Sequence, residues 1–127
     1  MLKTKGSKKD KGDKGENAAV FYLSEMGFDI VDRNLKIQGG EIDIVAFRNN
    51  RFHFIEVKSC FGRTAEGEME MSERIGIKKI KKIEKTALNF LERVGREDHP
   101  WSIDLVMVFF SYSGDLLEIK IMEDIFL

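Results

Sequence analysis

The chain has 127 residues, of which 21 are Lys or Arg and 22 are Asp or Glu, for a net charge of −1. That length suits one domain with a buried core. There is no apolar run long enough to span a bilayer and no apolar signal core behind the charged N-terminus, and the single cysteine, Cys60, rules out an internal disulfide. A cytoplasmic, reducing setting is therefore expected.

Charge is spread unevenly: residues 1–15 carry six Lys and two Asp, +4 against a total of −1, so the remainder is −5. Residues 1–14 have almost nothing to bury and read as a disordered basic tail, either a solvated segment or an arm for phosphates. Residues 15–127 read as a single domain. Its first helix is expected over about 14–26, with Asp13 as cap and Gly27 as stop. Ala19, Val20 and Leu23 share a face, and Glu16 lies on it one turn earlier. Phe28 to Arg33 reads as a first strand, and Asn34 to Gly40 as a connection.

Glu41 to Arg48 and Arg51 to Lys58 alternate as two strands, and Asn49-Asn50 between them tolerates the positive φ of a tight hairpin. Folding at that pair sets Phe47 against Phe52, Val45 against Phe54, Asp43 against Glu56 and Glu41 against Lys58, all on one face. Ile42, Ile44, Ala46, His53, Ile55 and Val57 take the other. Both faces are largely apolar, as in a sheet covered on both sides.

A loop over residues 60–71 leads to a second helix, expected from near Ser72 to about Val94. Ile80, Ile83, Ala87, Phe90 or Leu91, and Val94 give its apolar repeat. The first half of this helix is basic, with Lys78, Lys79, Lys81 and Lys82 as candidate contacts to nucleic-acid phosphates. Ser102 to Phe110 is almost wholly apolar and reads as a buried strand, and Leu116 to Ile121 as a fifth. The order is α-β-β-β-α-β-β.

Opposed carboxylates repel across a sheet unless a cation lies between them. Asp43 and Glu56 form such a pair, with Lys58 two residues along. Hard cations such as Mg²⁺ bind through one or two carboxylates with water and substrate phosphate, and the Val57 carbonyl offers one more oxygen. Lys58 would hold the attacking water or neutralise phosphate charge, Glu41 would orient Lys58, and Glu16 would complete the cluster through a water or a second ion. The competing reading is a solvated hairpin end with a plain Glu41–Lys58 ion pair. His53 falls on the face away from these acids and reads as a core or rim histidine. Cys60 has no histidine placed to activate it.

Several stretches together resemble one family. They are Gly15-Glu16-Asn17-Ala18-Ala19, Tyr22-Leu23, Gly27-Phe28, Arg33-Asn34, Gly40-Glu41-Ile42-Asp43-Ile44-Val45-Ala46 and Phe54-Ile55-Glu56-Val57-Lys58. The chain resembles, over about residues 15–125, the YraN-like family, which is similar to Holliday-junction resolvases and belongs to the restriction-endonuclease-like nucleases. The resemblance implies an α/β fold with a mixed central sheet of about five strands flanked by helices, and an active site at the hairpin. Asp43, Glu56 and Lys58 match the Asp…Glu-x-Lys signature, and Glu16 matches the first-helix acid. Ile42 stands where the signature's name has Pro, and Ser102-Ile103-Asp104 where similar proteins tend to carry Arg-Phe-Asp.

The resulting expectation is a Mg²⁺- or Mn²⁺-dependent DNA endonuclease, acting on branched or damaged DNA. Asp43 and Glu56 would be ligands, with the Val57 carbonyl and Glu16 in support, and Glu16, Asp43, Glu56 and Lys58 would form the catalytic set. Two other readings stand beside it: a nucleic-acid-binding module that keeps the nuclease fold without turnover, and a protein-interaction domain. Membrane partners are not expected. A homodimer is suggested by related resolvases, whose substrate has two-fold symmetry.

Overall fold

The computed structural model describes residues 8–62 and 75–125, the side chains of 8–11 excepted. The expected start of the second helix at Ser72, most of the preceding loop and the final Phe126-Leu127 lie outside the described residues. The elements in order are α1 (Lys8–Glu25), β1 (Asp29–Ile37), β2 (Gly40–Arg48), β3 (Arg51–Phe61), α2 (Ile77–Arg93), β4 (Trp101–Phe110) and β5 (Leu116–Met122). The order is the expected one. The strands form one mixed sheet in sequence order, β1-β2-β3-β4-β5. Only β3 and β4 run parallel, and α2 lies in their connection, because a parallel pair needs a long crossover.

The helices cover opposite faces. On one side Ile83, Ala87, Phe90 and Leu91 of α2 pack with Val45, Phe52, Phe54 and Ile103. On the other, Ala19 and Leu23 of α1 pack with Ile44, Ala46, Ile55, Val106 and Val108. Both helices end in Schellman geometry. Gly27 takes φ 88° while the Phe28 N–H donates to the Leu23 carbonyl at 3.0 Å, and Gly95 takes φ 68° while the Arg96 N–H donates to the Leu91 carbonyl at 2.8 Å.

Two boundaries differ from expectation. Helix α1 begins at Lys8 rather than near Lys14, so the basic segment runs into the helix, and Lys14 is tied down through its Nζ on the Gly114 carbonyl. Strand β1 continues to Ile37 and joins β2 by a tight turn, with Gln38 at φ 46° and Gly39 at φ 81°. The segment reads as a connection because an edge strand exposed along most of its length needs no apolar alternation.

The β2–β3 hairpin turns at Asn49 and Asn50, with φ of 53° and 60°, and its ladder runs from Arg48–Arg51 to Ile44–Ile55. There it stops, so the expected backbone pairs Asp43–Glu56 and Glu41–Lys58 are not part of the ladder. The alternation of β2 changes at the same place. Ile44 packs on the α1 side, yet Ile42, two residues earlier, packs on the α2 side with Val45. On a regular strand those two isoleucines would share a face. The neighbouring strand bends in step: Asn34 has φ 53° and lies opposite Asp43, between the pairs Arg33–Ile44 and Leu35–Ile42.

Phe54 is fully buried and meets Phe90 and Trp101 edge-on at ring-centroid distances of 5.9 and 6.0 Å. Phe54→Ala is expected to lower unfolding free energy by about 3–5 kcal/mol, measured by urea denaturation.

Candidate active site

Past Ile44 the Asp43 carboxylate does what the backbone would otherwise do. The Val57 N–H donates to Asp43 Oδ2 at 2.8 Å, so the side chain bridges to β3 where the ladder has opened. Asp43 and Glu56 thus come together by side chain and not by strand register. Burial, then the charge of Glu56, push the Asp43 carboxyl up to about 6, with Glu41 adding to the rise; the Val57 hydrogen bond and Lys79 oppose it.

Glu56 is buried, and Lys58 Nζ lies 3.6 Å from its Oε1. Lys79, on the first turn of α2, places its Nζ 3.7 Å from the same oxygen. The expected set of Asp43, Glu56 and Lys58 is therefore assembled, with Lys79 added. Lys79 figures in the sequence only as one of a run of basic residues. Its i, i+4, i+7 spacing to Ile83 and Thr86 is the signal that separates it from Lys78, Lys81 and Lys82.

Glu16 has other partners. Its Oε1 accepts from Arg33 Nε at 3.1 Å and from Asn34 Nδ2 at 3.1 Å, and Arg33 also donates to Asn17 Oδ1 at 2.7 Å. Glu16 is buried, as expected of an acid on the core face of α1. It holds the residue of β1 that stands opposite Asp43, so its contact with the site runs through the strand bend. Among the described residues, no three His, Cys, Asp or Glu side chains are grouped closely enough to hold one ion. Two carboxylates in a part-buried setting still suit a cation that keeps several waters, as Mg²⁺ does.

His53 lies on the α1 side of β3, buried, sharing a 2.6 Å hydrogen bond between its Nδ1 and Asp104 Oδ2, with Ser102 Oγ 3.2 Å from the same nitrogen. Asp104 Oδ1 accepts from the Asp124 N–H at 2.9 Å. This network satisfies the one acid of buried β4 and ties down the chain after β5; it belongs to the core, as the parity of His53 indicates.

The model of Uncharacterised protein family UPF0102 matches residues 15–108. The chain belongs to this family. UPF0102, the YraN family, is a member of the restriction-endonuclease-like nuclease superfamily. Among UPF0102 proteins, one from Caldicellulosiruptor saccharolyticus is 30% identical over 94% of this chain and 99% of its own length. One from Campylobacter lari is 37% identical over 90% of this chain and 91% of its own. One from a Sulfurihydrogenibium species is 40% identical over 76% of this chain and 84% of its own. The matched segment holds Glu16, Asp43, Glu56, Lys58 and Lys79, so the whole site lies inside the UPF0102 domain.

The Asp43 shift carries a sign. A carboxyl raised from 3.8 to about 6 by folding contributes stability that is fully present below about pH 4 and lost as pH rises through 6. Ionised Asp43 therefore burdens the metal-free fold at neutral pH. Asp43→Asn keeps an acceptor for the Val57 N–H and removes the charge. Its melting temperature in chelator is expected to exceed that of the parent by a few degrees near pH 8 and to match it near pH 4.

Proposed function

We propose that this protein is a Mg²⁺- or Mn²⁺-dependent nuclease that hydrolyses phosphodiester bonds in DNA. The observation that carries this reading is the Asp43–Glu56 pair. Two carboxylates are held together where the strand ladder opens, one with its carboxyl driven up by burial and by the other, and an ammonium lies beside them. Such a pair favours a divalent cation, and Asp43 and Glu56 would hold it, with the Val57 carbonyl as a further oxygen donor. The ion would supply Lewis-acid stabilisation of phosphorane charge and a more acidic water. Lys58, paired with Glu56, would orient that water or neutralise a phosphate oxygen. Glu16 would keep the bend of β1 that backs Asp43. A cytoplasmic setting agrees with the lone Cys60, and no described helix is long and apolar enough to cross a membrane.

Lys78, Lys81 and Lys82 are exposed on α2, whose first turn bears Lys79 at the site, and they would contact backbone phosphates without reading sequence. The resemblance to junction resolvases directs the first assays to branched DNA, and a two-fold symmetric substrate would match a homodimer. A second reading, binding without turnover, draws support from Glu16: its Oε1 accepts from both Arg33 and Asn34, which turns it to β1 and leaves Asp43 and Glu56 as the paired carboxylates.

Purified protein is expected to nick plasmid or four-way-junction DNA with Mn²⁺ or Mg²⁺, and Asp43→Ala or Glu56→Ala to lower the rate by about 10²-fold or more. Cleavage that persists undiminished in Asp43→Ala overturns the mechanism; retention of DNA with no cleavage under any divalent ion selects the second reading. Replacing Lys78, Lys81 and Lys82 by Gln should weaken DNA binding and flatten the salt dependence of log K by about one unit per lysine, read by fluorescence anisotropy across a salt series.

A further inference from the structure

Helix α2 breaks a local rule at its start. Its first turn holds Lys78 and Lys79 and no acid, at the end where the helix dipole disfavours cations, and its cap residue Gly76 supplies no side-chain bond. A first turn built this way is compensated from outside the helix. For Lys79 the compensation is visible: its Nζ lies 3.7 Å from Glu56 Oε1. Lys58 Nζ lies 3.6 Å from that same oxygen. The charge of Lys79 also reaches Asp43, where it works against the rise caused by Glu56. Among the described residues, Lys79 is the one group from α2 in the site; Asp43, Glu56 and Lys58 all belong to the β2–β3 hairpin.

Its placement follows from packing. Lys79, Ile83 and Thr86 lie along one line of the helix, and the latter two are buried. Lys79 extends that line past the end of the apolar contact, over the part of the sheet where the ladder opens. It is about half exposed, with a side-chain accessibility of 47% against 7% for Glu56, so it can swing away while Glu56 cannot.

We propose, building on the nuclease reading, that Lys79 is a site residue with two successive partners. It is the counter-ion of Glu56 in the metal-free protein, and it yields that carboxylate to the divalent ion and turns its ammonium to the DNA phosphate. Lys79 therefore competes with the ion and cooperates with the substrate. The two effects have opposite sign, and a charge remote from the acids would move Mn²⁺ affinity far less, because screening weakens it with distance.

The test is calorimetric titration of the full chain with Mn²⁺, without DNA, together with DNA affinity measured in Ca²⁺. Lys79→Gln should bind Mn²⁺ about two- to fivefold more tightly, the size of one half-exposed ion pair, while binding DNA more weakly. Lys79→Arg, which keeps the charge, should return both towards the parent values. Lys85→Gln, the same charge change further along α2, should leave Mn²⁺ affinity unaltered. A Lys79→Gln protein that binds Mn²⁺ no more tightly than its parent, or one matched by Lys85→Gln, overturns the role of Lys79 and leaves the nuclease reading standing. A parent chain that takes up neither Mn²⁺ nor Mg²⁺ overturns the nuclease reading, and the exchange at Lys79 with it.

Discussion

The bond from the Val57 N–H to the Asp43 carboxylate is the constraint around which the site is organised. A backbone donor buried in a sheet must have a partner. Where β2 leaves β3 after Ile44–Ile55, the ladder can no longer provide one, and Asp43 does. That substitution fixes the carboxylate within reach of Glu56 without the two residues facing each other in register. It also accounts for the break in alternation of β2, because the residue that spends its side chain on the neighbouring strand is the point at which Ile42 and Ile44 part to opposite faces.

The bend is supported from both sides of the sheet. On the α1 side, Glu16 accepts from Arg33 and from Asn34, the left-handed residue opposite Asp43. On the α2 side, Lys79 neutralises Glu56. Each helix therefore supplies one charged residue, Lys79 in the site and Glu16 behind it on β1, and each contact spans a buried or half-buried pair. Interactions of that kind contribute little net stability, because desolvation and solvent screening offset much of their attraction. The arrangement is better explained as local stability given up for placement, as is common where function requires like charges to be held together.

Charge on the whole chain says little about this. The net value of −1 conceals an N-terminal segment of opposite sign to the rest and an α2 whose first half is basic. Against that helix stand three acids, Glu41, Asp43 and Glu56, close enough for the first and third to raise the carboxyl of the second. Acids on the hairpin beside a basic stretch of helix set up a local field of two signs that does not depend on the sum.

The sequence by itself singled out Asp43, Glu56 and Lys58 as candidates, which the structure brings together by side chain and not by the expected register. It determined the element order, the Asn49-Asn50 turn and the two-faced burial of the hairpin. These rest on short-range rules: a period of two in strands, a period of 3.6 in helices, and the tolerance of asparagine for positive φ. The parity of His53 also separated it correctly from the acids, and the structure gives it Asp104 as a buried partner. Tertiary structure decided the rest. The extension of β1 to Ile37, the end of the ladder at Ile44–Ile55, the assignment of Glu16 to Asn34 and the choice of Lys79 from a run of lysines all depend on segments distant in the chain meeting at one place. Helical spacing puts Lys79 on the buried line of Ile83 and Thr86, but where a strand bends, and whether that line ends at a carboxylate, are settled by how two helices pack on opposite faces of one sheet.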